Sequence, residues 1–487
     1  MRIAVVLGAC GLCATTASLA AANPPNAQPS APATSAPSPS PSPSASPSAP
    51  SEPAPSEPAP AAPAPAAAPL PRYHIVAFDV RGDSKVKPRI LGYLSHTALG
   101  DLVDQGDIPK LEQALLSSEL FKTVAVTLEP APGDPSPGVI LVATVIDKHS
   151  WIAAPTVFAL PGNTAFGVGF AENNFRGLDQ KFLLYGQLGT HNSFFFGTFL
   201  DPAVHGSKLT WRTDLYLYRR DLNEYTNPPD DPRSTDIART TSMTYLGAGG
   251  LVGWNFTWWL VGDLRLRGAY VYFREPRDAN DQPLPVAEKD GWDVTLQAHL
   301  TIDHHHNRYG VTWGSYLQLT LEPSVPLLDS YGYQNSLLRA YHSWRLFEEH
   351  ELELRAQIGA GRHMPAHEEL TIGGTADLRG YNVDQFRGDL RAAFRAEYSI
   401  PLFKWRFLAF RGIGFYDAGY VGFHSRRPGD RDYLPNQLTA DYWRSNVGTG
   451  LRIYLDNIVL PLLGFDLAYG IEGRSPEIYF EVGLTDF

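Results

Sequence analysis

Cysteine is nearly absent: the chain has two, Cys10 and Cys13, and both fall inside an apolar leader. Met1-Arg2 opens that leader, Ile3 to Leu19 is apolar with few interruptions, and Ala20-Ala21-Ala22 closes it. This is the pattern of a secretory signal with a small-residue cleavage site. A chain cut after Ala22 contains no cysteine, which excludes disulfides as staples. Leu7-Gly8-Ala9-Cys10 also resembles a lipoprotein cleavage box, but it leaves an apolar core of only about seven residues, the lower limit for such a signal. Beyond the leader no apolar run reaches the about 18 residues that a membrane-spanning helix requires. The protein is therefore either soluble or crosses a membrane as a barrel. Positive charge is also in deficit, 40 Lys and Arg against 51 Asp and Glu for a net charge of -11. Nucleic acid is thereby disfavoured as a partner, because phosphate binding rests on clustered positive charge. The mature chain has no Gly-x-Ser-x-Gly elbow, no Cys-x-x-Cys pair and no phosphate-cradling glycine motif. Neither enzymatic activity nor a cofactor is expected.

What is present divides into three parts after the signal at 1–22. Residues 23–72 are almost wholly proline, alanine and serine. Such a stretch cannot bury a core and is expected to stay extended. At about 3.1 Å per residue, some 50 residues reach on the order of 150 Å. The plain reading is a spacer with no partner of its own.

Residues 73–148 read as one compact α/β unit. A strand, Ile75 to Val80, leads into the turn Arg81-Gly82-Asp83-Ser84. Helical segments follow at Lys87 to Leu99 and Ile108 to Leu116, the second with Leu111, Leu115 and Leu116 at helical spacing. Phe121 opens the strand Val124 to Leu128, and a Pro/Gly turn from Pro132 to Gly138 joins it to Val139 to Ile146. The order is β-α-α-β-β.

From 149 to 487 the pattern changes to repeated strands. Val294, Leu296, Ala298, Leu300 and Ile302 alternate with Asp293, Thr295, Gln297, His299 and Thr301, and Leu352 to Ala360 repeat the scheme. A period of two sets an apolar face against a polar one. Long polar loops are expected at Asn223 to Thr240 and Arg274 to Gly291. Trp254, Trp258 and Trp259, and likewise Tyr270, Tyr272 and Phe273, are candidates for interfacial girdles. At around 21 residues per strand and connection, about 16 strands fit, and bacterial single-chain barrels favour even numbers. The expected fold is mainly β, a transmembrane antiparallel barrel of about 16 strands preceded by one small periplasmic domain.

Two motifs sharpen this. Ile372-Gly373-Gly374-Thr375-Ala376-Asp377-Leu378-Arg379-Gly380-Tyr381 precedes the strand Phe394 to Pro401, and Phe415-Tyr416-Asp417-Ala418-Gly419 follows. They resemble the outer-membrane protein assembly and two-partner secretion superfamily of bacterial surface antigens. In that family an Arg-Gly-Tyr/Phe tip lies on an extracellular loop folded back into the barrel, and its arginine pairs with the aspartate of a Phe-x-Asp-x-Gly strand. The resemblance implies a lumen-loop lock made by Arg379, Gly380, Tyr381, Phe415, Asp417 and Gly419. It also implies that 73–148 is a polypeptide-transport-associated domain, on its element order, the glycine after the first strand and Glu119 to Val124. The remaining matches are Gly167 to Phe170 with Asn173 to Gly177, similar to the family's first hairpin, and Val447 to Arg452 with Phe465 to Tyr469, similar to its closing strands. Terminal Phe487 is the expected assembly signal, although Phe480, Val482 and Leu484 lie in the opposite phase.

The run Asp303-His304-His305-His306 invites a metal reading. Consecutive side chains on an extended strand point to alternate faces and do not converge, so no metal is expected. The resemblance implies a factor that inserts or translocates polypeptides, with unfolded or extended clients, outer-membrane lipid and accessory periplasmic or lipoprotein partners. General assembly factors of this kind carry several such domains, and dedicated secretion partners two with a plug helix. One domain and a proline-rich tether fit neither, so a factor for few clients is expected. The alternative is a passive pore or structural surface barrel.

Overall fold

The computed structural model describes residues 71–132, 138–226, 235–284, 288–308, 311–347, 349–406, 408–424, 443–455 and 461–482. The N-terminal unit opens with β1 (Tyr73–Asp83), followed by a single turn at Pro88–Ile90 and the short helix α1 (Leu91–Ser95). Next come β2 (Leu102–Val103), the helix α2 (Ile108–Ser117), β3 (Phe121–Pro130) and β4 (Gly138–Asp147). The sheet order is β2-β1-β4-β3, with β1 and β4 parallel at the centre. Before α2, Asp104 accepts the Gly106 N–H and donates its own N–H to Asp107, a reciprocal cap that fixes where the chain turns. The helices lay Leu91, Leu94, Leu111 and Leu115 against Ile75, Phe121, Leu141 and Val145. Each such side chain removed from water contributes roughly 1.5–3 kcal/mol.

Two details differ from the sequence pattern. The first helix stops at Ser95 rather than Leu99, because His96 takes a left-handed conformation at φ 60. β1 does not turn at Arg81: Arg81, Gly82 and Asp83 stay paired with Thr144, Val145 and Ile146. A Cβ on Gly82 would lie 2.3 Å from the Val145 carbonyl oxygen, so this close pairing requires glycine.

The rest of the chain closes on itself as an antiparallel barrel of 16 strands. It starts with β5 (Trp151–Leu160), β6 (Asn163–Phe175), β7 (Gln180–Gly189), β8 (Asn192–Asp201) and β9 (Leu209–Tyr225). β10 (Ile237–Asn255), β11 (Leu260–Phe273) and β12 (Gly291–Asp303) follow; the short β13 (His306–Arg308) extends the turn before β14 (Val311–Pro323). After β15 (Gln334–Leu346) and β16 (His350–Arg362), a loop carries β17 (Leu370–Ile372) and β18 (Phe386–Gly388). The wall ends with β19 (Leu390–Trp405), β20 (Leu408–Gly422), β21 (Arg444–Leu455), β22 (Pro461–Gly470) and β23 (Ser475–Val482).

Alternation sorts the faces as the period of two requires. Leu266 is 53% exposed and Arg267 only 6%. Outward residues such as Leu215, Leu217, Leu264, Leu296 and Leu300 form an apolar belt, and the inward ones are largely polar. Tyr270 and Tyr272 belong to the outer face, but Phe273 does not: it points inward against His367, since its phase is opposite to theirs. Among the described residues no helix is long and apolar enough to cross a membrane.

The strand ends at Tyr225, Phe273, Arg362 and Gly422 lie at one end of the barrel, and the turns at 176–179 and 256–259 at the other. Outer-membrane barrels keep short turns on the periplasmic side. The N-terminal unit packs on that short-turn end. The Lys87 N–H donates to the Gly177 carbonyl at 2.8 Å, and the His96 ring stacks on Trp258 at 5.0 Å. Gly177 has φ +71, and a Cβ there would lie 1.9 Å from the Lys85 carbonyl oxygen. Gly177→Val is therefore expected to push the unit off the barrel, through a backbone strain of about 1–3 kcal/mol and the clash itself. Hydrogen exchange across 84–96 should rise; unchanged protection there would show that this contact does not hold the unit.

Candidate functional site

The inward face of β20 carries Phe415, Asp417 and Gly419 in one phase, and all three meet the loop at 363–389. Asp417 accepts from Arg379 Nε and Nη2, each at 2.9 Å, and from the Arg379 backbone N–H at 3.3 Å. The planar fork of a guanidinium matches a carboxylate in this two-point manner. The Arg379 guanidinium carbon lies 3.3 Å from the centre of the Phe415 ring, a cation–π contact beneath the same charge. Gly419 leaves room for the loop: a Cβ there would sit 3.0 Å from Ile372 Cδ1.

Arg379 and Asp417 are 1% and 0% exposed. Buried charges are tolerated only when their remaining hydrogen-bonding capacity is met. Arg379 Nη1 donates to Glu397 at 2.8 Å and reaches Asp466 at 3.4 Å. Arg452 clamps Asp466 at 2.5 and 2.8 Å, and Arg395 reaches Asp417 at 3.2 Å. Arg379 on the loop, with Arg395 and Arg452 on the wall, thus faces Glu397, Asp417 and Asp466, three charges of each sign.

The two residues after Arg379 extend the grip. The Gly380 N–H donates to the Tyr479 hydroxyl at 2.7 Å, which in turn donates to the Tyr381 carbonyl at 2.9 Å. Gly380 has φ +91, and a Cβ there would come 2.7 Å from the Gly470 nitrogen. The Tyr381 hydroxyl donates to Glu472 at 2.7 Å, and Glu472 also accepts the Ser445 N–H and hydroxyl. Across from them, the Val383 N–H donates to the Pro161 carbonyl at 3.2 Å. The loop tip therefore touches the last hairpin and the first turn of the barrel. Between these runs the closing seam, where among the described residues β23 and β5 pair Phe480 with Ala159, Glu481 with Phe158 and Val482 with Val157. On its other side β5 pairs with β6 along its whole length from Trp151 to Leu160.

A second anchor holds the start of the loop to the opposite wall. Arg267 on β11 donates to Asp293 at 3.0 Å and lies within 3.1 Å of Glu322 and 2.9 Å of Glu368. His367 Nε2 is 3.2 Å from Asp293, and the Tyr333 hydroxyl donates to Asp293 at 3.0 Å. Asp293, His367 and Glu368 carry donor atoms close enough to hold a metal ion, with all of them within 4.8 Å of one another. Arg267 is bonded to both carboxylates of that group and already supplies the cation. Between the two anchors, Asp384 pairs with Arg220 and Thr371, and Asp377 takes Arg391 and the Gly373 N–H, both at 2.9 Å.

The structure thus brings Arg379, Gly380, Tyr381, Phe415, Asp417 and Gly419 to one place, and Phe487 lies outside the described residues. The three histidines diverge: His304 stacks on Trp259, His305 bonds Asp303, and His306 lies against Trp313. Sequence reasoning missed the Arg267 anchor and the Tyr479 and Glu472 contacts. Arg267, Asp293 and Tyr479 do stand in the inward phase of their strands, a readable signal, but nothing local names their partners.

A family model described as "Omp85 superfamily domain" matches residues 174–485, more than half of the 487. Among solved structures, BamA from Haemophilus ducreyi lacking POTRA domains 1–3 is similar at 14% identity and a TM-score of 0.55, covering 84% of each chain. CdiB from Acinetobacter baumannii is similar at 14% and 0.54, over 85% of this chain and 74% of that one. CdiB from Escherichia coli follows at 12% and 0.56, over 84% and 76%. At these identities the likeness is one of fold. No curated protein matches.

Proposed function

The chain belongs to the Omp85 superfamily of bacterial outer-membrane β-barrels, and from that premise we propose that it inserts or translocates polypeptides for a restricted set of clients. Family membership supports the general role. The observation that carries the reading is the loop tip: Gly380 and Tyr381 bind the last hairpin, Val383 binds the first turn, and the seam where β23 meets β5 lies between them. The tip thus spans the seam and holds its two sides together, so releasing the tip is what lets the wall open sideways there.

The N-terminal unit, residues 73–148, faces the periplasm and receives extended segments by strand addition at its sheet edge, which requires only unpaired backbone groups. The apolar outer belt meets lipid, and accessory periplasmic or lipoprotein partners help deliver clients. Restriction to few clients follows from one receiving domain where general assembly factors have several.

Depleting the protein and quantifying the outer-membrane and secreted proteomes tests this. Loss of a few barrels or secreted proteins is the expected result; broad loss would remove the restriction, and an unchanged proteome would leave a passive pore. A second test uses the lack of cysteine after the leader. Phe158→Cys with Glu481→Cys places two thiols on directly opposed residues of the seam. Their disulfide is expected to stop client delivery in the depleted strain, with recovery on reduction. Full delivery with the bond formed would rule out the sideways opening.

A further inference from the structure

Among the described residues β3 is an outer strand of the N-terminal sheet and pairs with β4 alone. In an antiparallel ladder a residue's N–H and C=O point to the same side, and successive residues alternate. The Val126 N–H donates to Glu112 Oε1 at 3.0 Å. Val126 therefore turns its backbone away from β4, and Val124 and Leu128 share its phase. Together they form the row that a further strand would pair with.

Glu112 stands on α2 and reaches across to the central donor of that row. Its neighbours on the helix hold it in place, since Leu111 and Leu115 are buried in the domain core. Glu129, the carboxylate at the far end of β3, is already engaged by Arg81 at 2.6 and 2.9 Å. The opposite margin of the sheet is covered where β1 begins. β2 covers Tyr73 and His74, and Ile75 exchanges backbone hydrogen bonds with Gly100 and Asp101 at 2.8 and 3.0 Å.

We propose that Glu112 is a latch on the receiving edge and selects what may add there. An incoming extended segment must bring a carbonyl that replaces the carboxylate at Val126. The displaced Glu112 then stands beside the added strand and pairs with a Lys or Arg on it. The fitting partner is an extended segment with a basic residue opposite Val126, and an acidic residue there is disfavoured. This rests on the capture of extended segments proposed above.

The test uses the full chain in detergent micelles and two fluorescent ten-residue peptides of alternating Thr and Val, with a central Lys or a central Glu. Anisotropy reads affinity, and hydrogen exchange over 121–130 reads the edge. The wild-type chain is expected to bind the Lys peptide about fivefold tighter than the Glu peptide, the size of one partly exposed charged contact. Glu112→Ala, a good helix former at a partly exposed position, should lose that preference and speed exchange over β3 without peptide. Unchanged exchange and an unchanged preference in Glu112→Ala would overturn the latch. Faster exchange in Glu112→Ala with neither peptide protecting β3 in either protein would instead overturn capture at this edge, and the selection with it.

Discussion

Arg379→Ala is expected to free the loop tip and abolish client delivery. The substitution strips Asp417 of its two-point partner and Glu397 of its 2.8 Å contact, while Arg395 stays within 3.2 Å of Asp417. Removing one member of a buried pair typically destabilises by about 3–5 kcal/mol. The network here retains Arg395 and Arg452, so the lower end of that range is expected. The main effect is local, because Phe415 loses the charge above its ring and Gly380 is left held only by the Tyr479 hydroxyl and the neighbouring Tyr381 contacts. Hydrogen exchange over 376–383 should rise sharply, and delivery measured in a depleted strain should fall at least tenfold. Arg379→Lys keeps the charge but has neither the fork nor the flat stacking face, and should recover only part of the loss. An Arg379→Ala protein whose loop remains protected would show that the tip is held by Tyr381 and Tyr479 alone.

Much of this wall was legible through the family resemblance, and the motif that carries it is local. Phe415, Asp417 and Gly419 fall two apart, so a strand must point them the same way, and each has one task that its side chain suits. The alternation at Asp293 to Ile302 gave two-faced strands, and the strand count with the export signal and the motifs, not the alternation itself, pointed to a barrel, whose polar phase became the lumen. What the sequence could not show is pairing across strands. Arg267, Asp293, Glu322 and Glu368 come from three strands and a loop, and charge in the inward phase says that partners are needed but not which. Phe273 was misplaced for a related reason: an aromatic cluster suggested a girdle, while the strand phase already separated it from Tyr270 and Tyr272. The first helix was overextended because His96 turns left-handed, a conformation that no glycine announces.

The second anchor yields the other large expected effect. Arg267→Gln leaves Asp293, Glu322 and Glu368 facing one another, with His367 beside Asp293. Two buried carboxylates and a half-buried third without their shared cation repel, and Glu368, the one on the loop, is the one that moves away. Exchange over 364–371 should therefore rise while 378–383 stays protected by Arg379, the mirror image of Arg379→Ala. Because the loop is tied at both walls, neither single change clears the lumen. The double variant should raise conductance in planar bilayers well beyond the sum of the two single increments, since residues joined through one shared element couple rather than add. Strict additivity would mean that the anchors act on separate segments and that the loop is not a single strap across the barrel. With strong coupling, the strap is one mechanical unit, fixed to β11 and β12 at one end and to the strands beside the seam at the other, so that whatever releases the seam must also draw on the Arg267 wall.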